Sequence, residues 1–422
     1  MKRNIIDLLI KWKTEDNTKP ILISGLKGVG KTYLAYDFAK AFFECIYYIN
    51  LEHESDYIKL FEEKNPALFK EALAARLQLD KNTPVEARIL ILDEIGCCSN
   101  ALEIIKTCDI SDIFRYIILI SSKPVKQLPD NIKELKLYPL GFDEFLVATG
   151  NDWYIEAITT HFNSNKNIPE IVHKELLELN RIYLQTGGLP AAINEYLGMS
   201  SMVNVQEIHD VFCGLYRDYI NRHNNDSDAL KMLQVYDSLA YQLAKENKKF
   251  QYKLIRKGTT HTMYKDAIQR LLEYDLVIKC SRISSEQLLN PAETFRLDQL
   301  LDMDANAVFK LYYPDSGLLQ TQMRKIYGSL DKTHQKAILE NYLASSLAAR
   351  GYSFAFWESE AMSRIDFIYM KEGEILPVEL FEDENTRSKN ISVLKQKCSF
   401  PYAVKISSKN FDFRNQVKFV PY

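Results

Sequence analysis

A glycine-rich segment followed by lysine and threonine carries the strongest chemical signal in the sequence of 422 residues. Residues 25–32 read Gly-Leu-Lys-Gly-Val-Gly-Lys-Thr, after the apolar run Pro-Ile-Leu-Ile-Ser at residues 20–24 and before a helical pattern over residues 33–43. Glycines let backbone N–H groups curl around phosphate oxygens, an approach that larger side chains would block. A strand, this loop and a helix in that order form the Walker A pattern and predict a nucleotide-phosphate site.

The polar residues at the end of this loop have distinct predicted roles. Lys31 is expected to reach the β- and γ-phosphates, and the Thr32 hydroxyl to ligate Mg²⁺. The helix that begins near Gly30 would direct the positive end of its dipole towards the anion. The alternative is a glycine-rich turn that contains Lys-Thr by chance, and the strand and helix on either side argue against it. The sequence therefore predicts ATP and Mg²⁺ as ligands.

A second apolar run ends in two acids. Residues 88–94 read Arg-Ile-Leu-Ile-Leu-Asp-Glu, which is the Walker B pattern. Asp93 is expected to hold Mg²⁺ together with Thr32, and Glu94 to polarise the water that attacks the γ-phosphate. Two acids that end a strand are by themselves typical of a solvated loop, so this interpretation depends on the upstream glycine-rich loop. Glu94 and Lys31 are the predicted catalytic residues.

Two further apolar runs, residues 45–51 and 116–122, continue the alternation of strands with helical stretches. Such alternation predicts an α/β fold with a parallel sheet between helices and with ligands at the carboxyl ends of the strands. Ser121 lies at the end of the last run, where it would either sense the γ-phosphate or form a turn. The residues predicted to contact ATP are Gly25, Lys27, Gly28, Val29, Gly30, Lys31, Thr32, Tyr33, Asp93 and Ser121.

Composition and charge limit the class of protein. Hydrophobic residues make up 46 % of the chain and charged residues 26 %, and the net charge is −3. This is the balance of a globular chain of about two to three domains, not of a disordered or wholly basic protein. No run approaches the roughly 18 apolar residues of a membrane span, and residues 1–13 lack a signal-peptide cleavage site. Because the seven cysteines include no Cys-x-x-Cys pair, we expect a cytoplasmic protein with reduced thiols and no membrane contact.

Two more segments make the pattern specific to one family. Residues 137–145 read Leu-Tyr-Pro-Leu-Gly-Phe-Asp-Glu-Phe, and residues 186–192 read Thr-Gly-Gly-Leu-Pro-Ala-Ala. With the Walker motifs, they resemble prokaryotic AAA+-type ATPases that carry a C-terminal nuclease-like region. The resemblance implies three parts: a P-loop NTPase core with a helical lid over residues 1–205, a winged helix over residues 206–310, and an α/β restriction-endonuclease-like domain over residues 311–422.

One departure from this family concerns hydrolysis. Related sequences carry an arginine just before the Pro-Leu-x-Phe strand, where it would act on the γ-phosphate of a neighbouring subunit. No arginine lies between Ser122 and Tyr138 here, and lysine replaces a planar, bidentate guanidinium poorly. The resemblance leaves an oligomer open, but we expect ATP hydrolysis to be slow. The basic residues of the segment are Lys123, Lys126, Lys133 and Lys136.

A basic segment lies in the predicted winged helix. Residues 245–270 hold eight basic and two acidic side chains, a local excess of six positive charges. Such a patch would bind the phosphates of DNA or RNA; the alternative is a solvated face on a spacer domain. The basic residues are Lys245, Lys248, Lys249, Lys253, Arg256, Lys257, Lys265 and Arg270.

Three acids in the C-terminal region match the order of a PD-(D/E)xK nuclease, in which one acid lies on a helix and two lie on successive strands. They are Glu340, Asp366 and Glu379. The lysine that this family places two residues after the last acid is Phe381 here, so Lys389 or Lys395 would have to replace it. We therefore expect a degenerate nuclease fold without nuclease activity.

The spacing of the last two acids predicts a β-hairpin. With a two-residue turn at Glu372-Gly373, Asp366 lies directly opposite Glu379. Facing carboxylates repel each other unless a cation or hydrogen bonds offset them, so this register predicts a degenerate metal site. We expect Arg364 or a weakly held metal ion to neutralise it.

The sequence thus predicts an ATP-binding protein, a slow Mg-dependent ATPase whose nucleotide state controls the winged-helix and nuclease-like module. Two alternatives stay open. One is a non-catalytic, ATP-dependent switch or scaffold that binds a protein partner, which Phe381 and the missing arginine favour. The other is an ATP-gated nuclease that acts on nucleic acid, which the basic segment favours.

Overall fold

A parallel sheet of five strands and a mixed sheet of eight strands organise the protein, as seen in a computed structural model. The structure describes residues 1–15, 19–63, 65–80, 82–98, 100–125, 128–199, 202–304, 306–359 and 363–422. The chain divides into two compact units, Met1–Tyr138 and Pro139–Tyr422, and each sheet belongs to one of them. The predicted α/β class, with a parallel sheet in the N-terminal region, is confirmed.

The five strands of the first unit are β1 (Ile21–Ser24), β2 (Cys45–Asn50), β3 (Arg88–Asp93), β4 (Tyr116–Ser121) and β5 (Lys133–Lys136). They lie in the order β2-β3-β4-β1-β5, and every pair is parallel. Strands β3 and β4 are buried along their whole length, which explains their continuous isoleucine and leucine runs. The sequence had not indicated β5, whose lysines and glutamate are mostly exposed at the edge of the sheet.

Helices in the first unit cover the apolar side chains of this sheet. They are α1 (Ile6–Lys13), α2 (Lys31–Phe42), α3 (Ser55–Leu60), α4 (Pro66–Arg76) and α5 (Ala101–Thr107), with 3₁₀ turns at Val85–Ala87 and Ile95–Cys97. Trp12 of α1 is fully buried and packs against Phe38 of α2 and Tyr116 of β4. This packing fixes α2, and with it the preceding glycine-rich loop, against the sheet.

Helices also make up much of the second unit. They are α6 (Phe142–Ala148), α7 (Trp153–Ser164), α8 (Glu170–Thr186), α9 (Pro190–Met199), α10 (Met202–His223), α11 (Asp226–Leu243), α12 (His261–Glu273), α13 (Pro291–Thr294), α14 (Leu297–Leu301), α15 (Ser316–Tyr327), α16 (Lys332–Ala349) and α17 (Asn390–Lys395), with 3₁₀ turns at Tyr252–Leu254 and Gln287–Leu289. Within the described ranges, no helix combines the length and the apolar character that crossing a membrane requires.

The eight strands of the second unit form one mixed sheet. They are β6 (Ile278–Ile283), β7 (Phe309–Tyr312), β8 (Phe354–Glu358), β9 (Arg364–Lys371), β10 (Glu374–Leu380), β11 (Ala403–Ser407), β12 (Asp412–Arg414) and β13 (Val417–Pro421). Their order is β12-β13-β11-β10-β9-β8-β6-β7. Strand β6 is parallel to β8 and antiparallel to β7. Strand β6, within the residues assigned to the winged helix, and β7, which crosses the predicted boundary at residue 310, therefore extend the sheet of the C-terminal region.

The division into compact units differs from the division that the sequence suggested. The units separate after Tyr138, whereas the predicted boundaries lay at residues 205/206 and 310/311. Residues 278–312 supply β6 and β7 to the same sheet as the strands beyond residue 353. The predicted second and third segments are thus joined by backbone hydrogen bonds.

The hairpin formed by β9 and β10 has the predicted register. Glu374 pairs with Lys371 and Val378 with Phe367, so the next pair along the same register is Asp366 with Glu379. The turn residues Glu372 and Gly373 have φ values of 54° and 83°, as a type I′ turn requires.

A bulge in β9 interrupts the regular alternation of its side chains between the two faces of the sheet. Ala355 of β8 pairs with Ile368, and Trp357 pairs with Ile365, so two residues of β9 lie opposite one of β8. As a result, Ile365 and Ile368 both enter the same hydrophobic cluster, although they are three residues apart.

Candidate functional site

The glycine-rich loop lies between β1 and α2, and its backbone adopts conformations that favour glycine. Gly25 has φ 134°, and a Cβ atom there would lie 2.1 Å from the carbonyl oxygen of Leu137. Gly30 has φ 94° and caps the N-terminus of α2. Both positions favour glycine, and the N–H groups in the first turn of the following helix have no partners within that helix. The loop therefore has the shape and the donors that a phosphate group needs.

Lys31 folds back over this loop. Its side chain is 5 % exposed, and Nζ donates hydrogen bonds to the carbonyl oxygens of Gly25 at 2.8 Å and Leu26 at 3.0 Å and to Ser122 Oγ at 2.9 Å. The ammonium group is thus held beside the N-terminus of α2, where a positive charge and helix N–H groups would attract the same anion.

Thr32 and Asp93 lie together, as predicted. Thr32 Oγ1 donates to Asp93 Oδ2 at 2.8 Å, and the backbone N–H of Glu94 donates to Asp93 Oδ1 at 2.9 Å. A hydroxyl and a carboxylate are hard oxygen donors that suit Mg²⁺, an ion that proteins commonly bind through one or two carboxylates together with substrate phosphates. The donor set therefore fits the predicted ion.

Tyr48 completes this cluster, and the sequence analysis missed it. Its hydroxyl donates to Asp93 Oδ2 at 2.8 Å and accepts a hydrogen bond from Asn50 Nδ2 at 3.3 Å. Burial and the hydrogen bond to Asp93 raise the pKa of Tyr48 to about 12, so the phenol keeps its proton. Asn50 pairs with Asp93, and Tyr48 pairs with Ile91. Side-chain alternation therefore places Tyr48 and Asn50 on the same face of the sheet as Asp93. That alternation, together with the pairing of β2 and β3, was the signal that could have indicated Tyr48.

Glu94 follows Asp93 in a left-handed conformation, with φ 51°. Its Oε1 accepts a hydrogen bond from Ser122 Oγ at 2.6 Å, and its Oε2 accepts one from the Ser122 backbone N–H at 3.1 Å. A positive φ is uncommon for a residue other than glycine and is often found at functional sites. Here it directs the carboxylate towards the end of β4.

Ser121, the predicted γ-phosphate sensor, has a different role from Ser122. Its hydroxyl donates to the carbonyl oxygen of Lys123 at 2.8 Å and accepts from the Lys123 N–H at 3.2 Å. Ser121 thus forms a turn, which was the alternative in the sequence analysis. Ser122, the next residue, contacts both Lys31 and Glu94.

Three further residues predicted to contact ATP, Lys27, Val29 and Tyr33, lie in the loop or directly after it. Lys27 forms a salt bridge of 3.2 Å with Glu52, and the Tyr33 side chain is 59 % exposed. Val29 is fully buried, and its carbonyl oxygen accepts a hydrogen bond from Arg3 at 2.8 Å. Arg3, which belongs to no recognised motif, also donates to the carbonyl oxygen of Tyr138 and so supports the loop from behind.

In the second unit, Glu340 of α16 has cationic partners. It is 2 % exposed, and its carboxylate lies 3.1 Å from Lys248 Nζ and 3.3 Å from Lys310 Nζ, with Tyr312 donating at 3.2 Å. Burial alone would raise the pKa of Glu340, but the two lysines lower it to about 2. Glu340 is therefore neutralised by lysine.

The other two acids of the predicted nuclease site have separate partners. Asp366 accepts a hydrogen bond from the Leu380 N–H at 2.8 Å, and burial, followed by the charge of Glu340, raises its pKa. Glu379 accepts hydrogen bonds from Ser388 and Asn390. In the part of the chain that the structure describes, no group of three or more His, Cys, Asp or Glu residues is placed to hold a metal ion.

Lysines take the place that the sequence analysis gave to Arg364. Lys405 of β11 lies 3.5 Å from Glu379, and its Nζ lies 5.3 Å from the centre of the Phe381 ring. A lysine from the neighbouring strand therefore lies over the residue that replaces the family's lysine, and Lys389 and Lys395 are not needed for that role. Arg364 is exposed and lies opposite Glu358.

Several basic residues of the segment at residues 245–270 form ion pairs within the protein. Lys248 is buried against Glu340, Lys249 forms a salt bridge with Glu358, and Arg270 forms one with Asp228 at 2.8 Å. Four basic side chains of the segment are exposed: Lys253, Arg256, Lys257 and Lys265. The surface available to a phosphate backbone is thus smaller than the sequence suggested.

Comparison with protein-family models divides the chain into three matched regions. Residues 17–146 match a model described as an AAA domain. Residues 177–327 match the domain of unknown function DUF8612, and residues 335–422 match the domain of unknown function DUF4143. No curated protein matches the sequence.

Several solved structures are similar to the chain at low identity. The Walker-type ATPase PABY2304 of Pyrococcus abyssi is 15 % identical, with a TM-score of 0.43, and the match covers 76 % of this chain and 95 % of that one. The Drosophila ORC bound to DNA is 17 % identical, with a TM-score of 0.28, over 78 % of this chain and 95 % of that one. The AAA-domain match includes both Walker motifs, and it supports an AAA-type ATPase domain in the N-terminal region.

Proposed function

We propose that the first unit binds ATP with Mg²⁺ and hydrolyses it slowly. The observation that carries the proposal is the convergence of Lys31, Thr32, Asp93 and Glu94 at the carboxyl ends of β1 and β3, beside the N-terminus of α2. In a parallel α/β sheet this edge is where ligands bind. A phosphate-binding loop, a donor set for Mg²⁺ and a carboxylate held for proton transfer are the parts that phosphoryl transfer to water requires.

Each residue has a defined task in this proposal. The loop N–H groups bind the phosphate oxygens, and Lys31 exchanges its hydrogen bonds to Gly25 and Leu26 for the β- and γ-phosphates. Thr32 and Asp93 would hold Mg²⁺, which supplies positive charge to the phosphate oxygens. Glu94 orients the attacking water and accepts its proton.

The missing arginine supports slow turnover. Transition-state charge on the γ-phosphate is commonly stabilised by an arginine finger, and the sequence offers none between Ser122 and Tyr138. Of the four lysines in that segment, Lys126 lies outside the described residues, and Lys133 and Lys136 are exposed on β5. Lysine lacks the bidentate fork of arginine.

For the second unit, the contacts favour a switch or scaffold over a nuclease. A PD-(D/E)xK nuclease needs its acids free to bind a metal ion, whereas Lys248 and Lys310 engage Glu340, and Lys405 engages Glu379. We therefore propose that the nucleotide state of the first unit controls how the second unit binds a protein partner. The match to an AAA domain also favours self-association.

ATP turnover tests the proposed activity. Glu94→Gln keeps the shape of the side chain but removes the base, so it should lower kcat by about 10²- to 10³-fold while ATP affinity stays unchanged. Glu86→Gln is the matched control, because Glu86 is exposed and lies just before β3. Equal turnover in Glu94→Gln and wild type would contradict the assignment of the base.

Nucleic acid separates the alternatives for the second unit. The exposed lysines and arginine at residues 253–265 leave an ATP-gated nucleic-acid enzyme as the second candidate. Turnover should be insensitive to added DNA and RNA if the second unit is a switch for a protein partner. Stimulation by either polymer, with metal-dependent cleavage that is lost in Asp366→Ala, would favour the nuclease instead.

A further inference from the structure

The Asp93 carboxylate is fixed by three donors from three different segments. Thr32 and Tyr48 donate their hydroxyls to Oδ2, each at 2.8 Å, and the Glu94 N–H donates to Oδ1 at 2.9 Å. Thr32 belongs to the loop–helix junction and Glu94 to the Walker B segment. Tyr48 comes from β2, outside both motifs, so its hydrogen bond holds Asp93 from the neighbouring strand.

The position of the Tyr48 ring indicates that its hydroxyl matters more than its packing. The side chain is 37 % exposed, and the ring makes an edge-to-face contact with Tyr36 at 6.4 Å between centroids. Because Tyr36 is itself 40 % exposed, this contact lies outside the hydrophobic core. A phenylalanine would keep that contact and lose only the hydrogen bonds.

The orientation of Asp93 determines whether it can serve a metal ion. A carboxylate that rotates freely offers its lone pairs in many directions, whereas outer hydrogen bonds fix the direction of a ligand and affect metal affinity. Tyr48 and Thr32 both donate hydrogen bonds to Oδ2, and the Glu94 N–H donates one to Oδ1. Hydrogen bonds at both oxygens therefore fix the orientation of the carboxylate plane. Loss of the Tyr48 hydroxyl would free one of these restraints.

We propose that Tyr48 is a positioning residue that orients Asp93 for Mg²⁺ and thereby sets the Mg²⁺ concentration at which ATP binds tightly. This inference rests on the proposed function of the first unit. It adds a residue from β2 to the two Walker motifs, and it assigns to that residue an effect on the metal ion and not on the phosphate groups.

The test is a titration of a fluorescent ATP analogue at a series of Mg²⁺ concentrations and in EDTA. Tyr48→Phe should raise the Mg²⁺ concentration for half-maximal tightening by about tenfold, the lower end for loss of an outer hydrogen bond to a metal ligand. Its affinity in EDTA should equal that of the wild type, which also shows that the loop is folded. Tyr47→Phe is the matched control, since the Tyr47 hydroxyl contacts only the Asp80 N–H at 3.4 Å among the hydrogen bonds of the described residues.

The outcomes separate this inference from the proposed function. If the wild type fails to bind the analogue under any condition, the proposed function fails and this inference fails with it. If the wild type shows Mg²⁺-dependent binding and Tyr48→Phe has the same Mg²⁺ requirement, only the role of Tyr48 is refuted. An equal loss of affinity in EDTA and in Mg²⁺ would likewise refute it, because that pattern indicates a structural defect of the phosphate site.

Discussion

Ser122 holds the Glu94 carboxylate at both oxygens: its hydroxyl lies 2.6 Å from Oε1, and its backbone N–H lies 3.1 Å from Oε2. The same hydroxyl oxygen accepts a hydrogen bond from Lys31 Nζ at 2.9 Å. One serine at the end of β4 thus joins the proposed base to the phosphate-binding lysine. This arrangement gives Ser122 a role in orienting Glu94 for the water.

Replacing Ser122 with alanine should affect hydrolysis more than binding. Without the hydroxyl, Glu94 loses its shortest hydrogen bond, and we expect kcat to fall by about tenfold, equivalent to about 1.4 kcal/mol. ATP affinity should change little, because Lys31 keeps its charge. Steady-state kinetics would separate kcat from KM. In the matched Ser121→Ala variant kcat should stay near the wild-type value, since Ser121 bonds Lys123; a larger loss in Ser121→Ala would overturn the assignment.

The rate of hydrolysis should depend little on protein concentration. With no arginine between Ser122 and Tyr138, a neighbouring subunit has no guanidinium in this segment to place on the γ-phosphate. Specific activity measured over a dilution series should therefore stay constant. A steep rise would show that a neighbour supplies a cation from elsewhere. Arg115, just before β4, would then be the first candidate, and Arg115→Lys the variant to compare.

Local sequence indicated the strand, the glycine-rich loop and the helix in their correct order, because this pattern depends on neighbours in the chain. The glycines, Lys31 and Thr32 lie within eight consecutive residues, and the strand before them needs only apolar residues. The contacts of Ser122 with Lys31 and Glu94 could not be predicted, since successive residues of a strand point to opposite faces and the outcome depends on where β4 ends. Tyr48 was missed because its role requires knowing that β2 pairs with β3.

In the second unit, strands and side chains that are far apart in the sequence pair with each other, and such pairings could not be predicted from the sequence. The register of the β9–β10 hairpin could be read from the two-residue turn, since turn length fixes the pairing. The pairing of β6 with β8 joins residues separated by more than seventy positions, and no local pattern indicates it. For the same reason Lys248, Lys310 and Lys405 could not be recognised as the partners of the acids.

Removing one partner of the buried ion pair between Glu340 and Lys310 should strongly destabilise the second unit. Lys310→Met leaves a buried carboxylate with fewer partners, and we expect a loss of about 3 kcal/mol in the free energy of unfolding. Urea denaturation measures this change. The control is Lys174→Met, which removes an exposed pair with Glu170 and should cost less than about 1 kcal/mol. Equal effects of the two substitutions would contradict the assigned burial of the pair.

Acid should weaken the contribution of Glu340. The two lysines lower the folded-state pKa of Glu340 to about 2. In an unfolded chain, the pKa of a glutamate is about 4.3. A lowered folded pKa gives stability that is present above the unfolded value and is lost as the pH falls towards the folded value. The difference in unfolding free energy between wild type and Glu340→Gln should therefore shrink between pH 5 and pH 2, roughly the window between these pKa values. A difference that grows on acidification would contradict the ion pair.

The affinity of wild type and Lys31→Ala for ATP in the presence of Mg²⁺, measured by isothermal titration calorimetry, tests the central claim most directly. Lys31 lies within the glycine-rich loop and holds its charge beside the N-terminus of α2. Its removal should weaken binding by at least about tenfold, whereas Lys40→Ala, which removes an exposed lysine from the last turn of the same helix, should bind much more nearly as the wild type does. Saturable binding by the wild type that is lost in Lys31→Ala is the predicted result. Equal affinity in wild type and Lys31→Ala would contradict the account.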